Sequence, residues 1–166
     1  MRRKAVFVFA IAAASLVSLL TPFDVCAQKF AVKVVAISDG DTFTGLNSDN
    51  LQLKFRIYGI DAPEKKQAFG NRSKEYLSSL IFGKTVTVDV QSQDGWGRQI
   101  SYVYTPEGED VSLIMIKEGM AWHFVKYDST EKYSSAEAES RSAKKGLWID
   151  NAPIAPWDYR AMNKNK

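Results

Sequence analysis

Hydrophobic and polar positions along the chain divide it into a strand-rich first half and a helix-rich second half. Phe30 to Ile37 reads as a strand, with Val32, Val34 and Val35 supplying β-branched bulk. Ser38-Asp39-Gly40-Asp41 is turn chemistry, and Thr42 to Leu46 resumes the extended pattern. After a polar turn over Asn47 to Asn50, apolar residues alternate at Leu51, Leu53, Phe55 and Ile57 in a segment running to Ile60. Val86-Val88-Val90 repeats the period of two, and Ile100 to Tyr104 gives a further strand beyond a loop at Asp94-Gly95-Trp96-Gly97. The spacing predicts helices over Asn71 to Ile81, with Tyr76, Leu77, Leu80 and Ile81 on one face, and over Val111 to Glu118. A third runs from Ser129 or Thr130 to Lys145, with acidic residues early and basic residues late, and Gly146 beyond its end. Five short strands and about three helices make an α+β domain, for which a five-stranded OB-type barrel is the natural candidate.

The ends of the chain differ from this middle. Arg2, Arg3 and Lys4 precede an uncharged run from Ala5 to Leu20, and Val25-Cys26-Ala27 offers a cleavage site. That is the layout of a secretory signal peptide over 1–27, with the domain expected over 28–156. The run is shorter than the roughly 20 residues of a relaxed membrane span, and an uncleaved N-terminal anchor is the alternative. The expectation is therefore an exported protein, periplasmic or extracellular. Residues 157–166 are polar and basic and read as a flexible tail.

Composition now acquires a meaning. The 166 residues carry a formal +3, with 45% hydrophobic residues, which suits one domain with a core and excludes a disordered chain. Removing Arg2, Arg3, Lys4 and Asp24 takes the 22 basic and 19 acidic residues to 19 and 18, so the mature domain is almost neutral. It also loses Cys26, the only cysteine. A case for a nucleic-acid partner cannot rest on bulk charge.

Three local clusters carry the chemistry instead. Asp39-Gly40-Asp41-Thr42 is either an Asx turn or a pair of carboxylates open to a hard cation. In Arg56-Ile57-Tyr58-Gly59-Ile60-Asp61-Ala62-Pro63-Glu64, the arginine lies on the strand face opposite Phe55 and Ile57. Pro63 stiffens a turn holding Asp61 and Glu64, which suits a divalent metal beside a general base, or plain capping. In Gly95-Trp96-Gly97-Arg98, a hairpin arginine can reach a phosphate with its planar fork, or remain solvated.

Taken in order and spacing, these clusters resemble the staphylococcal nuclease family. The resemblance adds Gly97-Arg98 before Tyr102-Val103-Tyr104, and the Gly119-Met120-Ala121-Trp122 and Gly146-Leu147-Trp148 endings, and covers roughly Phe30 to Ile149. It implies an OB-fold barrel with three helices and a calcium-dependent phosphodiesterase acting on DNA, RNA or both and leaving 3′-phosphates. Asp41 and Asp61 match the family's calcium carboxylates, and Ala62 stands where a main-chain carbonyl contributes. Glu64 matches the proposed general base, and Arg56 and Arg98 the two phosphate-holding arginines; Asp39 is expected to be a turn residue or to stand behind the ligands, rather than to be a ligand. Tyr127 matches a tyrosine lining the nucleotide site. Trp96 replaces the type member's tyrosine, and either stacks on a base or packs under its loop. The Glu64–Lys84 segment is shorter than in the type member. His123, the only histidine, reads as structural rather than as a metal or acid–base group. No stable protein partner is implied, and a monomer is expected. The competing readings are a non-cleaving nucleic-acid-binding module of the same fold, against which all five charged site residues stand, and an OB surface module for peptide or glycan.

Overall fold

The computed structural model describes residues 28–164. The signal-like segment 1–27 lies outside the described residues. The chain runs β1 (Gln28–Ile37), β2 (Thr42–Leu46), β3 (Gln52–Ile57), β4 (Ile60–Asp61), α1 (Gly70–Ile81), β5 (Thr85–Gln93) and β6 (Gln99–Tyr104). It continues through α2 (Val111–Lys117), β7 (Trp122–His123), α3 (Glu131–Ser142), a 3₁₀ turn (Gly146–Ile149) and α4 (Pro156–Asn163).

Five strands close a barrel in the order β1-β2-β3-β6-β5, with β3 and β6 parallel and the other pairs antiparallel. This is the expected OB-type architecture. The valines that alternate in sequence point inward: Val32, Val34, Val86, Val88 and Val103 are buried with Phe43, Phe55 and Ile57. Helix α1 closes this core with Leu77 and Ile81, α2 with Val111, Met115 and Ile116, and α3 with Tyr133 and Ala136. Strand β3 ends at Ile57 rather than Ile60, because Gly59 turns the chain at φ 78° and β4 pairs with β7 in a separate two-stranded ribbon. The predicted first two helices differ from α1 and α2 by one residue at one end, and α3 stops at Ser142.

A second, smaller apolar cluster holds Trp122, Leu147, Trp148 and Ala155, with Phe69 and Trp157 against it. The Arg141 guanidinium lies 3.9 Å from the Trp148 ring centre and 4.6 Å from that of Trp122, a cation–π contact with both rings. Gly119 and Gly146 make this corner possible: both have positive φ, and a Cβ on either would collide with the backbone of the other's loop.

The expectation of a flexible tail over 157–166 is corrected here. Residues 156–163 form α4, with Pro156 at the start, where a missing N–H costs nothing. Eight residues are too few for a helix to stand on its own propensity. Trp157 supplies the docking: it stacks on Phe124 at 5.3 Å and 6° and meets Trp122 edge-on at 5.5 Å. Among the described residues, no helix is long and apolar enough to cross a membrane.

Candidate active site

Barrel register assembles the charged residues. Thr42 pairs with Arg56 across β2 and β3, which brings Asp41, one residue before Thr42, beside the arginine. The Ile57 N–H donates to the Asp41 carbonyl at 2.8 Å and fixes this junction. Phe55 and Ile57 are buried in the core, so Arg56 emerges on the other face, as the alternation requires. Pairing of β4 with β7 sets Asp61 opposite Trp122.

The Arg56 guanidinium bridges two carboxylates. Nη1 donates to Asp41 Oδ1 at 2.8 Å and Nη2 to Asp61 Oδ1 at 2.9 Å. Asp41 also accepts from the Thr42 hydroxyl at 2.8 Å and from the Ala62 N–H at 3.0 Å. Burial pushes the Asp41 carboxyl above the usual carboxylate range, and the Asp39 charge adds to this; Arg56 and the two hydrogen bonds oppose it without reversing it. Burial also acts against the Arg56 charge, but Asp41 and Asp61 outweigh it and hold the guanidinium above its ordinary value. Asp39 is the turn residue expected of it, its Oδ1 accepting the Asp41 N–H at 3.1 Å.

Glu64 lies on the turn after Pro63 with its side chain 40% exposed, so water reaches it. Gln67 steadies that turn, accepting the Glu64 N–H at 3.0 Å. Arg98 projects from the β5–β6 hairpin and is itself held: Nε donates to Asp94 Oδ2 at 2.7 Å, while Asp94 Oδ1 accepts the N–H groups of Trp96 and Arg98. Burial would raise the Asp94 carboxyl, but the bonds from Arg98 and from the two backbone N–H groups hold it below its ordinary value. Neither arginine is idle in this arrangement, yet each keeps donors to spare. Arg56 uses one N–H on each Nη, and Arg98 uses only Nε.

A single cleft of about 780 Å³ collects Asp41, Arg56, Ala62, Glu64, Trp96, Arg98 and Tyr127. Trp96 is 84% exposed, with the Arg98 guanidinium 5.2 Å from its ring centre, so it does not pack under its loop. Tyr127 is exposed at the rim, and its carbonyl accepts the Tyr58 hydroxyl at 2.6 Å. His123 is not part of the cleft. It is buried in β7, with Nδ1 3.1 Å from Ser134 Oγ and its ring edge-on to Tyr133.

One cleft residue escaped the sequence reading. Arg160 of α4 donates from Nη1 to Asp61 Oδ1 at 3.1 Å and Glu64 Oε1 at 2.8 Å, and from Nη2 to Asp61 Oδ2 at 2.6 Å. Its bonds to Asp61 and Glu64 hold the guanidinium above its ordinary value despite partial burial. The signal that could have found it is Pro156-Trp157-x-x-Arg160, a helix start with an aromatic anchor and a cation one turn apart.

The donors available to a metal are all oxygens, the chemistry of a hard divalent cation. Asp41 and Asp61 share one guanidinium, and Asp61 and Glu64 share another, so positive charge already bridges each pair. Among the described residues no three carboxylate, imidazole or thiolate groups form a cage. A cation held by Asp41 and Asp61 would complete its shell from water, main-chain carbonyl and substrate oxygens.

Fold and site together define a small OB-type barrel carrying a carboxylate–arginine centre in an open cleft. The staphylococcal nuclease homologue family model matches residues 54–150, and the chain belongs to that family. It is 39% identical over 151 residues to an uncharacterized endonuclease of Haemophilus influenzae, spanning 90% of this chain and 84% of that one. An uncharacterized endonuclease of Escherichia coli is 39% identical over 128 residues, 77% of this chain and 83% of its own. A staphylococcal-like nuclease of Arabidopsis thaliana is 38% identical over 122 residues, covering 72% of this chain and 36% of that longer protein.

Proposed function

We propose that this chain is an exported, calcium-dependent endonuclease that hydrolyses phosphodiester bonds of DNA, RNA or both and leaves 3′-phosphates. The observation that carries the reading is the Arg56 bridge between Asp41 and Asp61, facing the cleft that also holds Glu64 and Arg98. The relatives' names support a nuclease, and the leader-like first 27 residues support export.

In this reading the exposed Glu64 carboxylate takes a proton from a water molecule as the water oxygen bonds to phosphorus. The bond to the 5′ oxygen breaks with its electron pair going to that oxygen, which takes a proton from solvent to become the 5′-hydroxyl, and the phosphate stays on the 3′ side. The spare N–H donors of Arg56 and Arg98 receive the negative charge that grows on the non-bridging oxygens. Asp41 and Asp61, with the Ala62 carbonyl, would hold a calcium ion, which supplies further neutralisation of phosphate charge. Trp96 offers an exposed ring on which a base can stack.

The test is hydrolysis of single- and double-stranded DNA and RNA by the purified protein, with calcium or with a chelator. Cleavage is expected with calcium and not with the chelator, and cleavage that persists in the chelator refutes the metal dependence. Glu64→Gln is expected to lower the rate by about 10²–10⁴-fold with the fold intact; a rate near wild type removes Glu64 from its role. N-terminal sequencing of the exported protein should begin near Gln28, and a start at Met1 would overturn the cleaved leader.

A further inference from the structure

The Asp61 carboxylate is fully buried, although its neighbours Arg56, Ala62, Glu64 and Arg160 line an open cleft. Two guanidinium groups cover it. Arg56 takes one lone pair of Oδ1, and Arg160 takes a second on Oδ1 and one on Oδ2, then reaches across to Glu64. Arg56 belongs to the barrel wall, whereas Arg160 arrives from α4, a separate element placed by a small set of contacts. Those contacts are Ala155 in the second apolar cluster, Trp157 against Phe124 and Trp122, and the Gln67 side-chain N–H donating to the Ile154 carbonyl at 2.7 Å. Arg160 follows Trp157 by three residues, so anchoring one side chain aims the other from the same helix face. Its own side chain is 42% exposed, which leaves an open path along which the guanidinium can leave.

We propose that Arg160 is a built-in counter-cation, seated by α4 on Asp61 and Glu64, that a divalent cation must displace to reach Asp61. The inference rests on the reading of Asp61 as a metal carboxylate. With Arg56, Arg160 fills both lone pairs of Asp61 Oδ1, and it takes one of the two on Oδ2, so a cation approaching Asp61 meets the Arg160 charge on both oxygens and competes with it. The contact also engages Glu64, and the same displacement that opens Asp61 frees the carboxylate that has to accept a proton. The resting site is thereby charge-compensated and closed, and loading it with a cation arms the base. The displaced arginine stays tethered on α4 beside the cleft.

Calorimetric titration of the purified protein with calcium chloride, in the absence of nucleic acid, reads this directly. Arg160→Ala is expected to bind calcium about ten-fold more tightly than wild type, since it removes a partly exposed two-carboxylate clamp. Trp157→Ala keeps the guanidinium but removes its anchor, and is expected to shift affinity in the same direction. Lys65→Ala deletes an exposed cation beside Glu64 that makes no such contact, and should change affinity less than two-fold. Circular dichroism confirms that each variant is folded; if Arg160→Ala is not, Arg160→Gln takes its place. Equal or weaker calcium binding in both α4 variants overturns the inference while leaving Asp61 as a ligand. An equal gain in Lys65→Ala overturns it too, by reducing the effect to bulk charge. Absence of calcium binding in every protein overturns the inference and the calcium reading together. Weaker binding of single-stranded DNA by Arg160→Ala in chelator, with calcium affinity unchanged, assigns Arg160 to phosphate instead and overturns the competition.

Discussion

Gly40 is the residue at which the barrel, helix α1 and the site press closest together. It lies in the turn between β1 and β2, next to Asp41. A Cβ built there would overlap the Ser73 hydroxyl on α1, and would stand 2.7 Å from the Ala62 Cβ and 2.8 Å from the Ser73 Cβ. Ser73 is fully buried, Ala62 is 5% exposed, and none of these groups is the free end of a long side chain. Gly40→Ala must therefore move backbone, and the cost sits at the upper end of the overpacking range, about 3 kcal/mol. The Ser73 hydroxyl is buried without a partner, so Ser73→Ala alone should be near neutral. Combined with Gly40→Ala it removes the worst overlap and leaves the two carbon contacts, so about 1 kcal/mol of the loss should return as coupling. Urea unfolding followed by tryptophan fluorescence measures all four proteins, with an unchanged m-value certifying that stability alone has moved. Because Ala62 and Asp41 shift together, nuclease rate should fall with stability in Gly40→Ala and recover in part in the double variant. A loss below 1 kcal/mol, or a double variant no better than Gly40→Ala, would refute the packing argument.

Other residues give shorter tests. Asp94→Asn keeps the shape of the hairpin clamp and removes its charge, costing about 1 kcal/mol at neutral pH. The folded-state value of Asp94 lies below its ordinary value, so its contribution is present above about pH 4 and lost as pH falls through the folded value. Wild type and variant should therefore converge in acid, and a constant gap from pH 7 to pH 3 would be inconsistent with this origin. Asp110 caps α2 through the Leu113 N–H and accepts the Tyr133 hydroxyl and the Lys132 ammonium, each at 2.7 Å. Asp110→Ala loses the cap and strands a buried phenol, costing about 2–4 kcal/mol in denaturant melts; a loss under 1 kcal/mol would show that neither contact matters. Trp96→Ala removes only exposed surface, so stability should hold while KM for single-stranded substrate rises about ten-fold or more. An unchanged KM would remove Trp96 from substrate contact.

The sequence made the barrel legible because its information is local. The alternation that hides Phe55 and Ile57 also turns Arg56 outward, and one strand suffices to show it. Pairings across the barrel were not legible in the same way. Asp41 meets Arg56 because Thr42 pairs with Arg56, a register that the isolated segments do not state. The sequence of α4 reads as a fraying tail because its basic, polar residues carry no strong periodic stripe. Its order comes from distant contacts, chief among them Trp157 docking on aromatics of the β7 region across more than thirty residues of chain. The missed helix brought the missed arginine, and with it the charge balance of the site.

That balance explains why whole-chain charge was a poor guide. Asp41, Asp61 and Glu64 face Arg56 and Arg160 within one network of ion pairs, and Asp94 faces Arg98 in a separate pair. The positive charge that would greet a phosphate is already spent on carboxylates, and the negative charge that would hold a cation is already covered by guanidinium groups. A polyanion approaching such a site meets little long-range field, since paired charges a few ångströms apart cancel beyond a Debye length of about 8 Å. On the proposed reading, affinity comes from exchange at contact, with phosphate oxygens taking up spare N–H donors and a divalent cation replacing Arg160 on its carboxylates. Increasing salt should weaken substrate binding only slightly if that exchange dominates, because few condensed counterions are released when so little net charge is neutralised. A steep salt dependence would place the binding energy on the exposed lysines outside the cleft rather than on this network.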